Sequence, residues 1–174
     1  NAKSKLPTAI VSVVPSSPLR LLQVLRQNQI VLARVIGLTT QQVLVEIIGN
    51  EHGLLEAAHR PEGCIRREDI KSGVQSEPTA SSTILTQSFR PGDYIIARIL
   101  SLGDARRYYL STAEPALGVI YATSSVSGKP MMPTSWKEME CSETGKKESR
   151  KCARPQKLPT ELLVQRDLVQ EASC

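Results

Sequence analysis

QIVLARVIGL (29–38) and YIIARILSL (94–102) decide the fold. Each is a Val/Ile/Leu-rich run built around the same apolar-apolar-Ala-Arg-apolar core. Alternation puts Val31, Ala33 and Val35 on one face of the first run, with Arg34 on the other. The second run repeats the arrangement, with Ala97 inward and Arg98 outward. Small inward residues ease tight curvature, and in a closed five-stranded barrel the first and fourth strands are neighbours. The pair therefore predicts an all-β chain whose main body is such a barrel.

The remaining strands follow outward from these two. Thr39-Thr40-Gln41-Gln42 reads as a polar turn and VLVEIIG (43–49) as the return strand. Gly53, Pro61 and Gly63 punctuate the next stretch, and GCIRR (63–67) is a short strand. KSGVQSEPTASSTILTQ (71–87) is polar and reads as a long loop. Pro91-Gly92-Asp93 is a tight turn into the fourth strand, and YYLST (108–112) is the last. LGVIYAT (117–123) opens a second, smaller β unit, in which MMPTSW (131–136) is extended, KEMEC (137–141) leads into a turn, and KKESRKCAR (146–154) is a candidate strand. The expected organisation is the end of a preceding domain and a linker over 1–25, the barrel over 26–113, the small unit over 114–157 and a tail with a helical pattern over 158–174. In that tail Thr160 is a candidate N-cap. The chain begins at Asn1 rather than Met and is expected to be a fragment.

Composition narrows the function. The 174 residues hold one Phe, one Trp and four Tyr, so cores must come from aliphatic, largely β-branched side chains, which favour strands. No apolar run approaches the ~18 residues of a membrane-spanning helix. The net charge is +5, and Lys146, Lys147, Arg150, Lys151, Arg154 and Lys157 against the single Glu148 account for all of it. Such a strip suits a phosphate-bearing or acidic partner, or is a solvated loop. Cys64, Cys141, Cys152 and Cys174 are irregularly spaced and read as reduced thiols. His52 and His59 share one loop without a nucleophile in a common motif, and Glu46, Glu68, Asp69, Asp93 and Asp104 are scattered. Neither pattern supports catalysis, and no Gly-rich phosphate loop is present.

Two turns have the outline of zinc knuckles, Cys-x-x-Cys-Gly. Cys141-x-x-Thr144-Gly145 keeps one cysteine, and Ser124-x-x-Ser127-Gly128 keeps none. A structural zinc needs four soft or imidazole ligands. Hydroxyls of serine and threonine stay protonated near neutral pH, so one thiolate out of four positions predicts no metal and no cofactor. Apolar burial and strand pairing by Val119, Tyr121, Met131, Met132, Trp136 and Met139 are the expected replacements. Hydroxyl bonds to the turn backbone add only about 0.5–1.5 kcal/mol each. The small unit is therefore expected to gain order by docking on a neighbouring chain.

The blocks FRPGD, SLGDA, TAE, LGV and ESRK, together with PMMPTSWKEMEC, resemble the Csl-type S1-domain cap subunits of the eukaryotic RNA exosome over roughly 26–157. The resemblance implies an S1 barrel of the oligonucleotide-binding fold followed by a ribbon-like domain, whose archaeal forms carry cysteines at both knuckles. It implies a non-catalytic subunit that sits on a ring of six RNase PH-like proteins beside other cap subunits, helps hold the ring together, and lines the entrance for single-stranded RNA on its way to 3′-to-5′ processing and decay. Nucleus, nucleolus and cytoplasm are the implied locations, with no membrane and no small-molecule substrate. S1 barrels usually stack bases on aromatics of the second and third strands, and VLVEIIG and GCIRR have none. Charge remains: Arg34, Arg66, Arg67, Arg98, Arg106 and Arg107 are the candidate RNA contacts, or else surface groups that meet ring subunits. Lys146, Lys147, Arg150, Lys151 and Arg154 are candidate contacts to a partner or RNA. An S1-type adaptor in ribosome assembly or translation is the alternative reading.

Overall fold

The computed structural model describes residues 25–70, 81–103 and 107–154. Five strands close a barrel: β1 (Ile30–Leu38), β2 (Gln42–Asn50), β4 (Glu62–Arg66), β6 (Tyr108–Ser111) and β5 (Tyr94–Leu102), which returns to β1. A two-residue strand, β3 (Gly53–Leu54), lies against the end of β2. Pairings are antiparallel except β4 with β6, which is parallel. In order of appearance the barrel strands run 1-2-3-5-4-1, the Greek-key closure of the oligonucleotide-binding fold.

The two repeated runs meet as expected. Val31 pairs with Ala97 and Ala33 with Ile95, and both alanines are fully buried. Inside, Val31, Val35, Val43, Val45, Ile47, Ile65, Ile95, Ile99 and Leu110 fill the barrel. Alternate residues point outward.

The stretch 71–87, read from sequence as a loop, ends differently. Ser81–Ser88 forms a helix, α1. Its Ser/Thr-rich sequence has little intrinsic helical preference. What anchors it is burial of Leu85, together with Phe89 just beyond its end, in the barrel core. That contact is tertiary and leaves no local signal.

The small unit comprises β7 (Gly118–Thr123), β8 (Pro130–Pro133), β9 (Glu138–Cys141) and β10 (Lys147–Ser149). β7 is shared: its first half pairs with β5, its second with β8. The candidate strand at 146–154 is shorter than read, because the chain leaves the β9 register after Ser149. It then closes the sheet on itself. Arg150 N–H donates to Lys137 O and Cys152 N–H to Trp136 O, while Lys151 O and Ala153 N–H bond Val119 on both sides of a parallel bridge. Val119, Ala122, Met131, Met139 and Cys152 are buried in one core continuous with that of the barrel. Of the expected replacements for a metal, Val119, Met131 and Met139 are inside. Tyr121 is half-buried, edge-on to Tyr94 at 5.8 Å, whereas Met132 and Trp136 are exposed. Within this chain the small unit packs against the barrel through that shared core.

Candidate nucleic-acid interface and the knuckle turns

The outer face of the barrel is a lattice of arginines and acids. Alternation sets Arg34 outward on β1, exposed, opposite Glu46 of β2 and Tyr94 of β5. Arg98 shares that face but is half-buried and already engaged. Its Nε and Nη2 donate to the two carboxylate oxygens of Glu114 at 2.6 and 2.9 Å, and Nη1 donates to Asn28 O at 2.9 Å. The paired guanidinium pulls the Glu114 carboxyl below its ordinary value. Arg107 donates to Glu62 at 3.0 Å, Arg66 lies 3.6 Å from Glu68, and Arg60 lies 3.7 Å from Glu46. Arg67 opens a single 3-10 turn after β4. Arg106 falls outside the described residues.

The parallel β4–β6 pairing supplies what the sequence of β2 and β4 lacks. Tyr109 stands beside Cys64, and Arg66 lies over its ring at 4.1 Å. The result is an aromatic ring with a cation on its face, where the third and fifth strands of the barrel pair. Sequence reasoning placed Tyr109 on the last strand but gave it no role, because its neighbour is set by a crossover pairing. Arg26 was also missed. It lines an open depression of about 530 Å³ with Asn28, Gln29, Asn50, His52 and Arg98 at one end of the barrel. His52 and His59 are exposed beside Glu51 and Glu56.

The basic strip divides in two. Lys146, Lys147 and Arg154 are exposed. Arg150 and Lys151 are buried, 1% and 7% exposed, and this corrects their reading as surface contacts. Arg150 Nε donates to Asp93 at 2.9 Å and its Nη2 to Glu148 at 3.1 Å. Lys151 Nζ donates to the carbonyls of Leu117 and Glu114 at 2.6 and 3.1 Å. A charge survives burial only with partners, and apart from Glu148 these partners come from elements distant in sequence.

Both knuckle outlines fold as knuckle turns. Gly128 and Gly145 take φ of 69° and 63°, the left-handed region open to glycine. Gly128 N–H donates to Ser124 O, and Gly145 N–H to Cys141 O. The turns face each other, with Ser127 Oγ 3.2 Å from Cys141 Sγ. Bonds from Ser127, from the Thr144 hydroxyl and amide, and from the Glu143 amide draw the Cys141 thiol down to about 6. Burial pushes Cys152 up to about 11. The four positions Ser124, Ser127, Cys141 and Thr144 do not fit a structural zinc: three are hydroxyls, and that of Ser124 is spent on Glu148 at 2.9 Å. Among the described residues no three His, Cys, Asp or Glu side chains converge as a metal-ligand set.

No family model matches the chain. It is 47% identical over 95 residues to exosome complex component CSL4 of Mus musculus, covering 54% of this chain and 46% of that protein. The corresponding component of Homo sapiens is 46% identical over the same length. That of Schizosaccharomyces pombe is 36% identical over 128 residues, 74% of this chain and 66% of that protein. The chain thus spans about half the length of the mammalian relatives it matches. A crystal structure described as a putative exosome complex RNA-binding protein superposes with a TM-score of 0.38 at 15% identity, over 59% of this chain and 51% of its own, too distant to bear on function. Identity at this level across relatives from fungus to mammal shows that the chain belongs to the family of CSL4 exosome complex components.

Proposed function

We propose that this chain is a non-catalytic cap subunit of the RNA exosome that helps hold the hexameric ring of RNase PH-like subunits together and guides single-stranded RNA to its entrance. Kinship with CSL4 components carries this reading. Its sites of action would be the nucleus, the nucleolus and the cytoplasm. The barrel supports an RNA role through Tyr109, capped by Arg66, through the neighbouring Arg67 and Arg107, and through the exposed Arg34 on β1. A base would stack on the ring by displacing Arg66, while phosphates replace the carboxylates now paired with Arg66 and Arg107. Exposed ion pairs contribute at most about 1 kcal/mol, so the exchange is inexpensive. Contact of this kind is weak and independent of base sequence. Lys146, Lys147 and Arg154 are proposed to face an acidic partner or RNA at the small unit.

Reconstitution tests the reading. The chain, added to purified ring subunits and the other cap subunits, is expected to co-elute with them in stoichiometric amount and to raise RNA retention by the complex without adding nuclease activity. Co-purification with ribosomal proteins instead, or ribonuclease activity that tracks with the chain, would overturn it.

A further inference from the structure

The knuckle turns pose a physical problem. In a cysteine-bearing ribbon the metal ties two turns together and contributes most of the folding energy of the unit. Here the turns keep their glycines, their spacing and their mutual approach, yet the residues at the ligand positions cannot hold zinc. Something else must fix the first turn, which has no thiol at all.

Glu148 occupies that place. One of its carboxylate oxygens accepts from Ser124 Oγ at 2.9 Å, from the Ser125 amide at 3.0 Å and from Ser125 Oγ at 3.1 Å. Its other oxygen accepts from Arg150 Nη2 at 3.1 Å and lies 3.7 Å from Arg90 Nη1. Arg150 turns its Nε to Asp93, at the tight turn leading into β5. Arg90, at the start of that turn, donates through Nη1 to Ser125 Oγ at 3.1 Å. Two carboxylates and two guanidiniums thus join the first knuckle turn, β10 and a barrel turn. The centre of this cluster is closed to water: the Arg150 side chain is 0% exposed, Asp93 2% and Glu148 9%. Away from water, charge-assisted bonds of this kind are strong and directional, and a partner removed from the cluster leaves a buried charge behind.

We infer that the Glu148–Arg150–Asp93 cluster has taken over the cross-linking part of the missing metal, holding the first knuckle turn closed and fastening the small sheet to the barrel. The device differs from a metal site in one useful respect. A metal would tie knuckle to knuckle, whereas this cluster ties knuckle to barrel, so the orientation of the small sheet is set by the same bonds that fold it.

Amide hydrogen exchange on the whole chain tests this. Glu148→Ala is expected to speed exchange at the Ser125 and Gly128 amides by ~10-fold or more, the loss of one or more charge-assisted bonds. Chelator is expected to leave exchange and unfolding midpoint of the unsubstituted chain unchanged. In a chain that also carries Ser124→Cys, Ser127→Cys and Thr144→Cys, beside the native Cys141, zinc is expected to restore the protection that Glu148→Ala removes. Unchanged exchange in Glu148→Ala overturns the assignment. So does stoichiometric zinc in the unsubstituted chain, or zinc bound by the restored thiols without recovery of protection. Should the cysteine variant not fold, the single substitution and the chelator measurement decide between these outcomes.

Discussion

Arg150 shows how far a single residue can depart from the company it keeps in sequence. It sits in a run of cations that reads as a surface strip, yet its guanidinium is sealed between Asp93 and Glu148. Arg150→Ala is expected to destabilise the protein by about 3–5 kcal/mol, since two carboxylates would be left facing each other without water. Urea unfolding checks it, and a loss below ~1 kcal/mol would mean that water reaches the cluster. Asp93 adds a pH dependence. Burial pushes its carboxyl from 3.8 up to about 6, against the opposing pull of Arg150 and of the Arg90 amide. An acid raised in the folded state binds more protons folded than unfolded between those two values. Its contribution to stability is fully present below the lower value and is lost as pH rises through the upper one. The stability of the native chain minus that of Asp93→Asn is thus expected to fall by about 2–3 kcal/mol between pH 4 and pH 7. A difference independent of pH in paired urea titrations would show that burial does not set this carboxyl.

At the scale of elements, the junction between β5, β7 and the returning chain leaves no room for a side chain at Gly118. Gly118 opens β7 at φ 138°, and a Cβ there would collide with Lys151 O and crowd the backbone of Cys152 and Ala153. Gly118→Ala is expected to cost about 3 kcal/mol or more, because both the backbone conformation and the parallel bridge at Cys152 resist it. Thermal unfolding would register the loss, and a neutral result would show that the returning chain yields. The barrel strands were legible because alternation of aliphatic residues is a local signal, visible in IVLARVIGL and YIIARILSL alike. Helix α1 was not, since Ser81–Ser88 owes its shape to the burial of Leu85 in a barrel assembled from distant segments. The run at 146–154 was half legible: Lys147–Ser149 pairs locally with β9, but the turn back to Val119 depends on β7 already lying against β5.

At the scale of the whole molecule, the arginine lattice makes any RNA contact an exchange of counter-ions. If four arginines engage phosphates, the affinity for single-stranded RNA is expected to fall with a log–log salt slope of roughly −3. Tyr109→Ala is expected to cost about 1–3 kcal/mol of that binding, the worth of one stacked base. Fluorescence anisotropy across a salt series measures both, and a slope near zero would remove RNA from the proposed function while leaving the scaffold role intact.

Sequence alone determined the all-β class, the inward alanines of the first and fourth barrel strands, the turn glycines and the kinship with exosome cap components, because each is written in neighbouring residues or in a shared string of them. The tertiary structure alone decided which cations are buried, which acids pair with the outer arginines, and that Tyr109 joins the face its own strand pattern does not reveal. The decisive contacts, Asp93 with Arg150, Glu62 with Arg107 and Cys64 beside Tyr109, join segments tens of residues apart, where distance along the chain says nothing about distance in space.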